Sequence, residues 1–366
     1  MSIKIKYNEI TVRTFFSIFL LINVFFKGIG LANSSKLYLI ALVFGLFLTV
    51  YKIIKERFTP KEIYASLIIG MIGLLTFAAT FKPTLFLTAI TIIGMKGIDL
   101  DREMFRSAQI RLWTFIIVTG SALVGIIDNI QVDMWRNGAF ESRYALGYEH
   151  PNSLHLSLFL ALSNYIFYKK DKLKLPHYII MSVVNFYVYR YSGSRTGITV
   201  VFLLIILSLM TPVIKGNIKK LYLMVPMIAF ALCLIVSFWL SNVYNKYDVL
   251  GALNAVLNNR VAYANYYLTH YGISLFGIRN IMSDINAISD NSYILLYIQY
   301  GIAGLITWIA LMFNALKNIR KRENCYETSI AIAFIFYMLT EGFGVNIFMN
   351  YLLLFAGVEI FSKRRG

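Results

Sequence analysis

The chain has 366 residues, of which 58% are hydrophobic and only 14% charged, and its formal net charge is +17. Repeated apolar runs approach the roughly 20 residues that a helix needs to cross a bilayer, which predicts a helical membrane protein. The basic residues stand in short clusters between these runs and form no basic groove or domain, which argues against nucleic-acid binding. Cys233 and Cys325 have neither an obvious disulfide partner nor the spacing of a metal site.

The elements along the chain are predicted to be membrane spans. The N-terminal stretch MSIKIKYNEITVR is charged like a signal peptide, but no small-residue cleavage pattern follows it, so we expect an uncleaved first span. About twelve spans are predicted, at residues 14–32, 37–54, 63–80, 84–98, 112–130, 153–168, 176–191, 195–214, 221–241, 291–316, 326–340 and 345–361. The expected fold is an all-α transmembrane bundle in a single integral membrane domain, residues 1–366. It has an outer loop at 131–152 and a large extracytoplasmic loop at 242–290, between spans nine and ten.

The distribution of basic residues predicts the orientation. With both termini in the cytoplasm, the inner segments hold 25 of the 35 Lys and Arg residues, as the positive-inside rule requires. The inner side has sixteen Lys and nine Arg, whereas from residue 131 onward the outer side has six Arg and one Lys. A planar guanidinium can grip a phosphate or carboxylate with two parallel hydrogen bonds, so the outer face is predicted to hold an anion.

Four polar strings open spans that run inward, at 149–155, 192–197, 289–293 and 341–346. Such helices present free N–H groups and the positive end of the helix dipole to the outer side, which suits an anion. In EHPNSLH, the proline predicts His150 as the helix cap, with Glu149 just outside. Asn152 and His155 lie on one polar stripe of the helix. Capping and interhelical hydrogen bonding would also explain these residues, but their grouping near Arg143 favours a site.

The second string, SGSRTG, follows Arg190 and contains Ser194, which suits an N-cap. Capping does not explain Arg195, because a cation at a helix N-terminus opposes the dipole unless an anion is bound there. In the third string Asp290 is most simply an N-cap, with Asn291 beside it. Glu341, in the fourth string, is either a surface residue or a member of the site.

The large outer loop is too long for a simple connection and is expected to be functional. Its apolar residues recur at helical spacing, which predicts an amphipathic helix on or in the outer leaflet: Leu250, Leu253, Leu257, Val261, Ala264 and Leu268. Arg260, Tyr263 and Tyr267 share another arc of this helix, where they would combine an anion grip with flat aromatic faces. An aromatic belt at the membrane interface is the alternative explanation of the tyrosines.

Several of these strings, in their order along the chain and on the predicted outer side of the membrane, resemble those of the bacterial Wzy-type polysaccharide polymerases of the O-antigen and capsule pathways. The resemblance is carried by GYEHPNSLH, YSGSRTG, NNR in the large loop and DNSYILLYIQYGI after it. It implies a glycosyltransferase of the bacterial cytoplasmic membrane that needs neither metal nor cofactor. The enzyme would join repeat units carried on undecaprenyl diphosphate at the extracytoplasmic face. The implied partners are this lipid-linked oligosaccharide, membrane lipid, and a chain-length regulator and flippase of the same pathway.

The resemblance also suggests roles for the residues. Arg195 and Arg260, with Arg143 and Arg190, would stabilise the departing diphosphate. The acceptor hydroxyl would need a base, for which His150 is the first candidate and Glu149 the second. The remaining candidates would bind substrate: Asn152, His155, Ser194, Tyr263, Tyr267, Asp290 and Asn291.

Two other function classes stay open at this point. An O-antigen ligase would use the same donor and architecture but transfer a finished glycan to another acceptor. A flippase or transporter of lipid-linked sugars should place ionisable residues deep in several spans and often shows a repeat, which we do not find. A non-enzymatic receptor would not need arginines gathered at helix ends.

Overall fold

The computed structural model describes residues 2–30, 35–136, 139–247, 249–257, 259–281 and 290–361. The structure is 76% helical and has almost no strand, as an all-α prediction requires. The helices are α1 Ser2–Gly28, α2 Lys36–Lys55, α3 Pro60–Thr80, α4 Thr84–Gly94, α5 Leu100–Leu123, α6 Pro151–Lys169, α7 Leu175–Ser192, α8 Arg195–Met210, α9 Gly216–Tyr222, α10 Val225–Val243, α11 Val249–Val256, α12 Arg260–His270, α13 Ser292–Arg322, α14 Cys325–Tyr337 and α15 Leu352–Phe361.

Five helical stretches within the described residues are long and apolar enough to cross a membrane. They are Lys36–Lys55, Pro60–Thr80, Arg195–Val213, Gly216–Val243 and Ser292–Arg322. Large apolar side chains on these helices remain exposed in the protein, such as Phe47 at 79%, which is expected where lipid is the solvent. The chain is therefore a helical membrane protein. The count of twelve spans and the cytoplasmic placement of both termini remain predictions.

The chain divides into two compact units, each built from three segments. The first unit comprises Met1–Lys52, Asp99–Tyr222 and Asn324–Ala333, and the second comprises Ile53–Ile98, Leu223–Glu323 and Phe334–Gly366. Of the predicted site residues, those from Arg143 to Arg195 belong to the first unit and those from Arg260 to Asn291 to the second. Each unit therefore has its own cluster of candidate residues.

A β-hairpin lies in the predicted outer loop of the first unit. Strands β1 Gln131–Arg136 and β2 Ala139–Tyr144 pair antiparallel, with Gln131 opposite Tyr144 and Trp135 opposite Phe140. The sequence predicts only an outer loop at 131–152, in an all-α fold, so the strands are an addition to that prediction. The sequence signal for the hairpin is the dipeptide at 137–138, Asn-Gly, which is flanked by residues that alternate between polar and apolar. The hairpin is important because β2 carries Arg143.

Local capping chemistry fixes where the site helices of the first unit begin. His150 is the N-cap of α6, and its Nδ1 accepts the backbone N–H of Asn152 at 3.1 Å, while Pro151 occupies the first helical position. Ser194 is the N-cap of α8 and accepts from the N–H of Gly197 at 3.3 Å. Both helix starts agree with the sequence prediction.

Two helices of the second unit depart from the predicted pattern. The helix α13 is interrupted at Gly301, where φ is +67°, and a loop lies against the break. The N–H groups of Ile302 and Ala303 donate to the carbonyls of Ser274 and Leu275, both at 3.0 Å. This loop leaves no room for a side chain, because a Cβ on Gly301 would lie 2.6 Å from the Leu275 carbonyl oxygen. A glycine is therefore required there.

The last predicted span, 345–361, needs a correction because α15 begins only at Leu352. The preceding residues are mostly buried turns whose backbone is satisfied by side chains. The carbonyl of Gly344 accepts from Trp308 Nε1 at 2.9 Å and from Asn350 Nδ2 at 2.7 Å, and its N–H donates to Ser292 Oγ at 3.0 Å. Irregular backbone of this kind is tolerated in a membrane protein where protein surrounds it. The string EGFGVN thus does not open a helix.

Candidate functional site

The first unit brings two helix N-termini together at one arginine. Arg143, which is buried on β2, donates from Nε to the carbonyl of Ser192 at 2.5 Å and from Nη2 to Oδ1 of Asn152 at 2.6 Å. Ser192 ends α7 and lies two residues before the cap of α8, whereas Asn152 is in the first turn of α6. Both of these acceptors are uncharged, so these two bonds hold the guanidinium in place and do not themselves offset its positive charge.

A buried histidine continues this network between α6, α7 and α8. His155 is 0% exposed, with Nδ1 2.9 Å from Ser192 Oγ and Nε2 2.8 Å from Asn185 Oδ1. The amide of Asn185 in turn donates to the carbonyl of Ile198 at 3.1 Å. Because both ring nitrogens are satisfied inside the protein, the structure gives His155 a positioning role. Direct substrate contact, which the sequence suggested, is not supported by this burial.

Two glycines of SGSRTG allow this close packing. A Cβ on Gly197 would lie 2.4 Å from Cγ of His155, so α8 can approach α6 only without a side chain there. Gly193 has a φ of +54° and ends α7, and a Cβ there would lie 3.1 Å from Nε of Arg143. Packing and capping therefore explain most residues of SGSRTG. They do not explain Arg195.

Two exposed arginines of the first unit lie where α7 ends and α8 begins. Arg195 is the first residue of α8 and is exposed, where its charge opposes the helix dipole. Arg190 is also exposed, but it lies in the last turn of α7, where the dipole favours a cation without any ligand. Arg195 is therefore the better indication of a bound anion, because its own helix does not explain it.

Glu149 and His150 lie at the start of α6, and both are exposed at this helix end. Partial burial of the ring and the charge of Arg143 lower the pKa of His150 below its usual 6.5, so the ring is neutral at pH 7. Its Nδ1 accepts the cap bond, which places the proton of the neutral ring on Nε2. Nε2 is thus a hydrogen-bond donor. Glu149 also lines a cavity of about 420 Å³ and interacts electrostatically with Lys27.

The second unit contains a different arrangement, with one arginine between two carboxylates. Nη2 of Arg260, at the start of α12, lies 3.4 Å from Oδ2 of Asp290 and 3.6 Å from Oε1 of Glu341. The Nε of Arg260 is buried and finds no hydrogen-bond acceptor among the residues that the structure describes. Burial raises the pKa of Asp290 above its ordinary value, and the charge of Arg260 opposes this shift. Tyr337 is buried nearby. It lies close enough to Arg260 and Glu341 to interact electrostatically with both.

This geometry corrects one capping prediction. Asp290 is not the N-cap of α13, since Asn291 has that position and accepts from the N–H groups of Tyr293 at 2.9 Å and Ile294 at 3.3 Å. Asn291 also donates to Ser237 Oγ at 3.0 Å. Its amide accepts the first free N–H groups of the helix, which leaves the Asp290 carboxylate to face Arg260.

The predicted amphipathic helix of the large loop forms two short helices, α11 and α12, separated at Asn259, where φ is +63°. The side chain of Leu253 and residues 248, 258 and 282–289 lie outside the described residues. Tyr267 is only 4% exposed and packs with Ala264 and Ile294, so it offers no free ring face to a ligand. The structure therefore places this ring in the core, which does not favour the substrate-binding role predicted for it. Tyr263 is partly exposed on the same helix.

Comparison of the chain with protein-family models, with curated proteins and with solved structures finds no match in any of the three. Among the residues that the structure describes, no group of three or more His, Cys, Asp or Glu side chains could hold a metal ion. The functional interpretation therefore depends on the geometry of the two clusters.

Proposed function

We propose that the protein polymerises oligosaccharide repeat units carried on undecaprenyl diphosphate, at the extracytoplasmic face of the bacterial cytoplasmic membrane. The observation that supports this most is the meeting of the α6 and α8 N-termini at Arg143. Two positive helix ends and a guanidinium bonded to neutral oxygens favour an anion strongly. A diphosphate is such an anion, and it carries most charge when it leaves the sugar.

In the proposed reaction the departing diphosphate binds at this helix end. Arg195 is exposed there and can grip two phosphate oxygens at once, while Arg190 adds a second exposed charge. The buried guanidinium of Arg143 adds its positive charge to those of Arg195 and Arg190. In enzymes that expel an anionic leaving group, stabilising the charge that develops on it commonly lowers the barrier more than any other single interaction.

Glu149 is the better candidate for the base that removes the proton of the acceptor hydroxyl. A base must offer a lone pair, and the lone pair of His150 at Nδ1 already accepts the Asn152 N–H. His150 then serves as the helix cap and as a hydrogen-bond donor to the sugar. This reverses the order in which the sequence ranked the two residues.

Arg260 is assigned a different role from Arg143. Two carboxylates within 3.6 Å offset its charge, which makes diphosphate binding at this guanidinium unfavourable. We infer that Arg260 positions Asp290 and Glu341, whose carboxylate oxygens accept hydrogen bonds from sugar hydroxyls.

The test uses the purified full chain in lipid nanodiscs, supplied with an undecaprenyl-diphosphate-linked repeat unit and a separate lipid-linked acceptor, with the glycan analysed on a gel. A ladder of lengths supports the polymerase, one transfer to a separate lipid-linked acceptor supports the ligase, and no glycan product contradicts both. Arg195→Lys keeps the charge but loses the two-point grip, so the ladder should form about tenfold more slowly. Arg102→Lys, another exposed arginine of the first unit, is the control and should change nothing.

Transport of lipid-linked sugars is a second candidate, favoured by one observation in the second unit. The break in α13 at Gly301 and the irregular buried backbone before α15 are typical of the discontinuous helices of transporters. Proteoliposomes loaded with a fluorescent lipid-linked sugar distinguish the two functions. Movement of the label between leaflets without any glycan product would replace the polymerase by a transporter.

A further inference from the structure

The outer face of the β-hairpin combines exposed aromatic rings with polar groups in regular rows. Side chains of a strand alternate between faces, so Gln131, Asp133 and Trp135 point to the side opposite Arg143. Trp135 and Phe140 are 64% and 74% exposed and pair edge to face, with ring centroids 5.0 Å apart. A water-facing hairpin normally keeps large apolar rings covered, so this pair indicates a contact surface.

The second row of the same face is polar and prearranged. Oδ1 of Asp133 accepts from Nε2 of Gln131 at 2.8 Å and from Oγ of Ser142 at 2.7 Å. These bonds hold the pKa of Asp133 below its ordinary value, so the carboxylate is ionised at neutral pH. An anionic row disfavours phosphate and anionic lipid headgroups, but it suits a neutral ligand with many hydroxyl donors.

The outer face of the hairpin is continuous with the candidate site. Along β2 it runs from Phe140 to Tyr144, which is about 14 Å at the rise of an extended strand. The ring centroid of Tyr144 lies 6.5 Å from that of Tyr191 on α7. The ring centroids of Tyr191 and Tyr187, also on α7, are 5.2 Å apart. The strand thus carries Arg143 on its inner face and the aromatic and polar rows on its outer face. A chain of sugar rings matches this alternation of flat apolar faces and hydroxyl edges.

We propose that the outer face of the β-hairpin binds a neutral oligosaccharide, with Trp135 and Phe140 stacked on sugar rings and Asp133, Gln131 and Ser142 bonded to hydroxyls. This inference rests on the proposed function only for the source of the ligand, which would be the growing glycan. The binding itself requires neither catalysis nor the lipid carrier.

The test is binding of the full chain in nanodiscs to an array of oligosaccharides from bacterial surface polysaccharides. Wild type should bind at least one neutral oligosaccharide, Trp135→Tyr should retain binding, and Trp135→Leu should weaken it by at least about tenfold, as loss of an aromatic anchor commonly does. Leucine stays apolar but lacks a flat face. Trp113→Leu, an exposed tryptophan on α5, is the control and should bind normally.

Three results would overturn the proposal: no bound oligosaccharide in wild type, equal binding by Trp135→Leu, or quenching of tryptophan fluorescence by brominated lipid that is weaker in Trp135→Leu than in wild type. The last outcome would mean that the hairpin dips into the bilayer. Failure of the polymerase is recognised separately, by the absence of a glycan ladder from wild type while array binding persists.

Discussion

Arg143 and Arg260 are both nearly buried arginines in predicted outer segments, yet the groups that accept their side-chain hydrogen bonds or face them as ion pairs differ in charge. Arg143 donates to a backbone carbonyl and an amide oxygen, whereas Arg260 faces the carboxylates of Asp290 and Glu341. Neutral acceptors fix a guanidinium and leave its field to act on a ligand, but carboxylates offset that field. The same residue type therefore fits the proposed anion site in the first unit and the proposed carboxylate positioning in the second.

The most direct way to break this comparison is to give Arg143 a carboxylate partner. Asn152→Asp keeps an oxygen near the present one, 2.6 Å from Nη2, and an acid suits the first turn of α6. We expect the melting temperature to stay equal or rise, while the rate of ladder formation falls by about 100-fold, as when a donor to a developing anion is lost.

The matched control for that experiment is Asn324→Asp, at the start of α14 in the same unit. Asn324 Oδ1 accepts the N–H groups of Tyr326 and Glu327, and Asp caps a helix as well as Asn does. Its activity should equal that of wild type. Full activity of Asn152→Asp would show that the charge of Arg143 is not used.

The packing beneath Arg143 can be tested through the close approach of α6 and α8. Gly197→Ala places a Cβ against the ring of His155, so we expect a loss of about 1–3 kcal/mol in the free energy of unfolding, as in other overpacked sites. Gly120→Ala, in α5, is the control because a Cβ there meets nothing within 4 Å. Chemical denaturation followed by circular dichroism measures both, and equal stability would contradict the packing argument.

The two carboxylates that face Arg260 predict that a second substitution can restore stability lost with this arginine. Arg260→Gln leaves two carboxylates without their cation, which should cost about 1–2 kcal/mol since Asp290 is 40% exposed and partly solvated. Adding Asp290→Asn removes one of the negative charges and should restore part of that loss. A double variant no more stable than Arg260→Gln alone would mean that the cation does not serve the carboxylates.

The sequence predicted those features that depend on neighbouring residues. His150 before Pro151 and Ser194 before Arg195 start their helices as expected, because caps are built from side chains within three residues. Long apolar runs likewise predicted helices. The hairpin could have been found from its Asn-Gly dipeptide.

What the sequence could not predict is the choice of distant partners. Ser192 lies 49 residues from Arg143, and nothing local indicates that a carbonyl would be its acceptor. Nothing local pairs Glu341 with Arg260. The apolar residues that follow Glu341 predicted a span, where the structure has irregular, buried backbone. Tyr267 shares an arc of α12 with Arg260, but the ring of Tyr267 packs in the core. Helical spacing predicts a shared face without telling what covers that face.

The smallest expected effect is a pH dependence of stability at the second cluster. Burial raises the pKa of Asp290 above 3.8, so the fold favours the protonated acid, and its contribution to stability is lost as pH rises through the raised value. The difference in melting temperature between wild type and Asp290→Asn should therefore fall with pH in that range. In an Arg260→Gln background the fall should move to higher pH, since Arg260 now lowers this pKa. A difference that rises with pH would show instead that the ion pair with Arg260 outweighs burial.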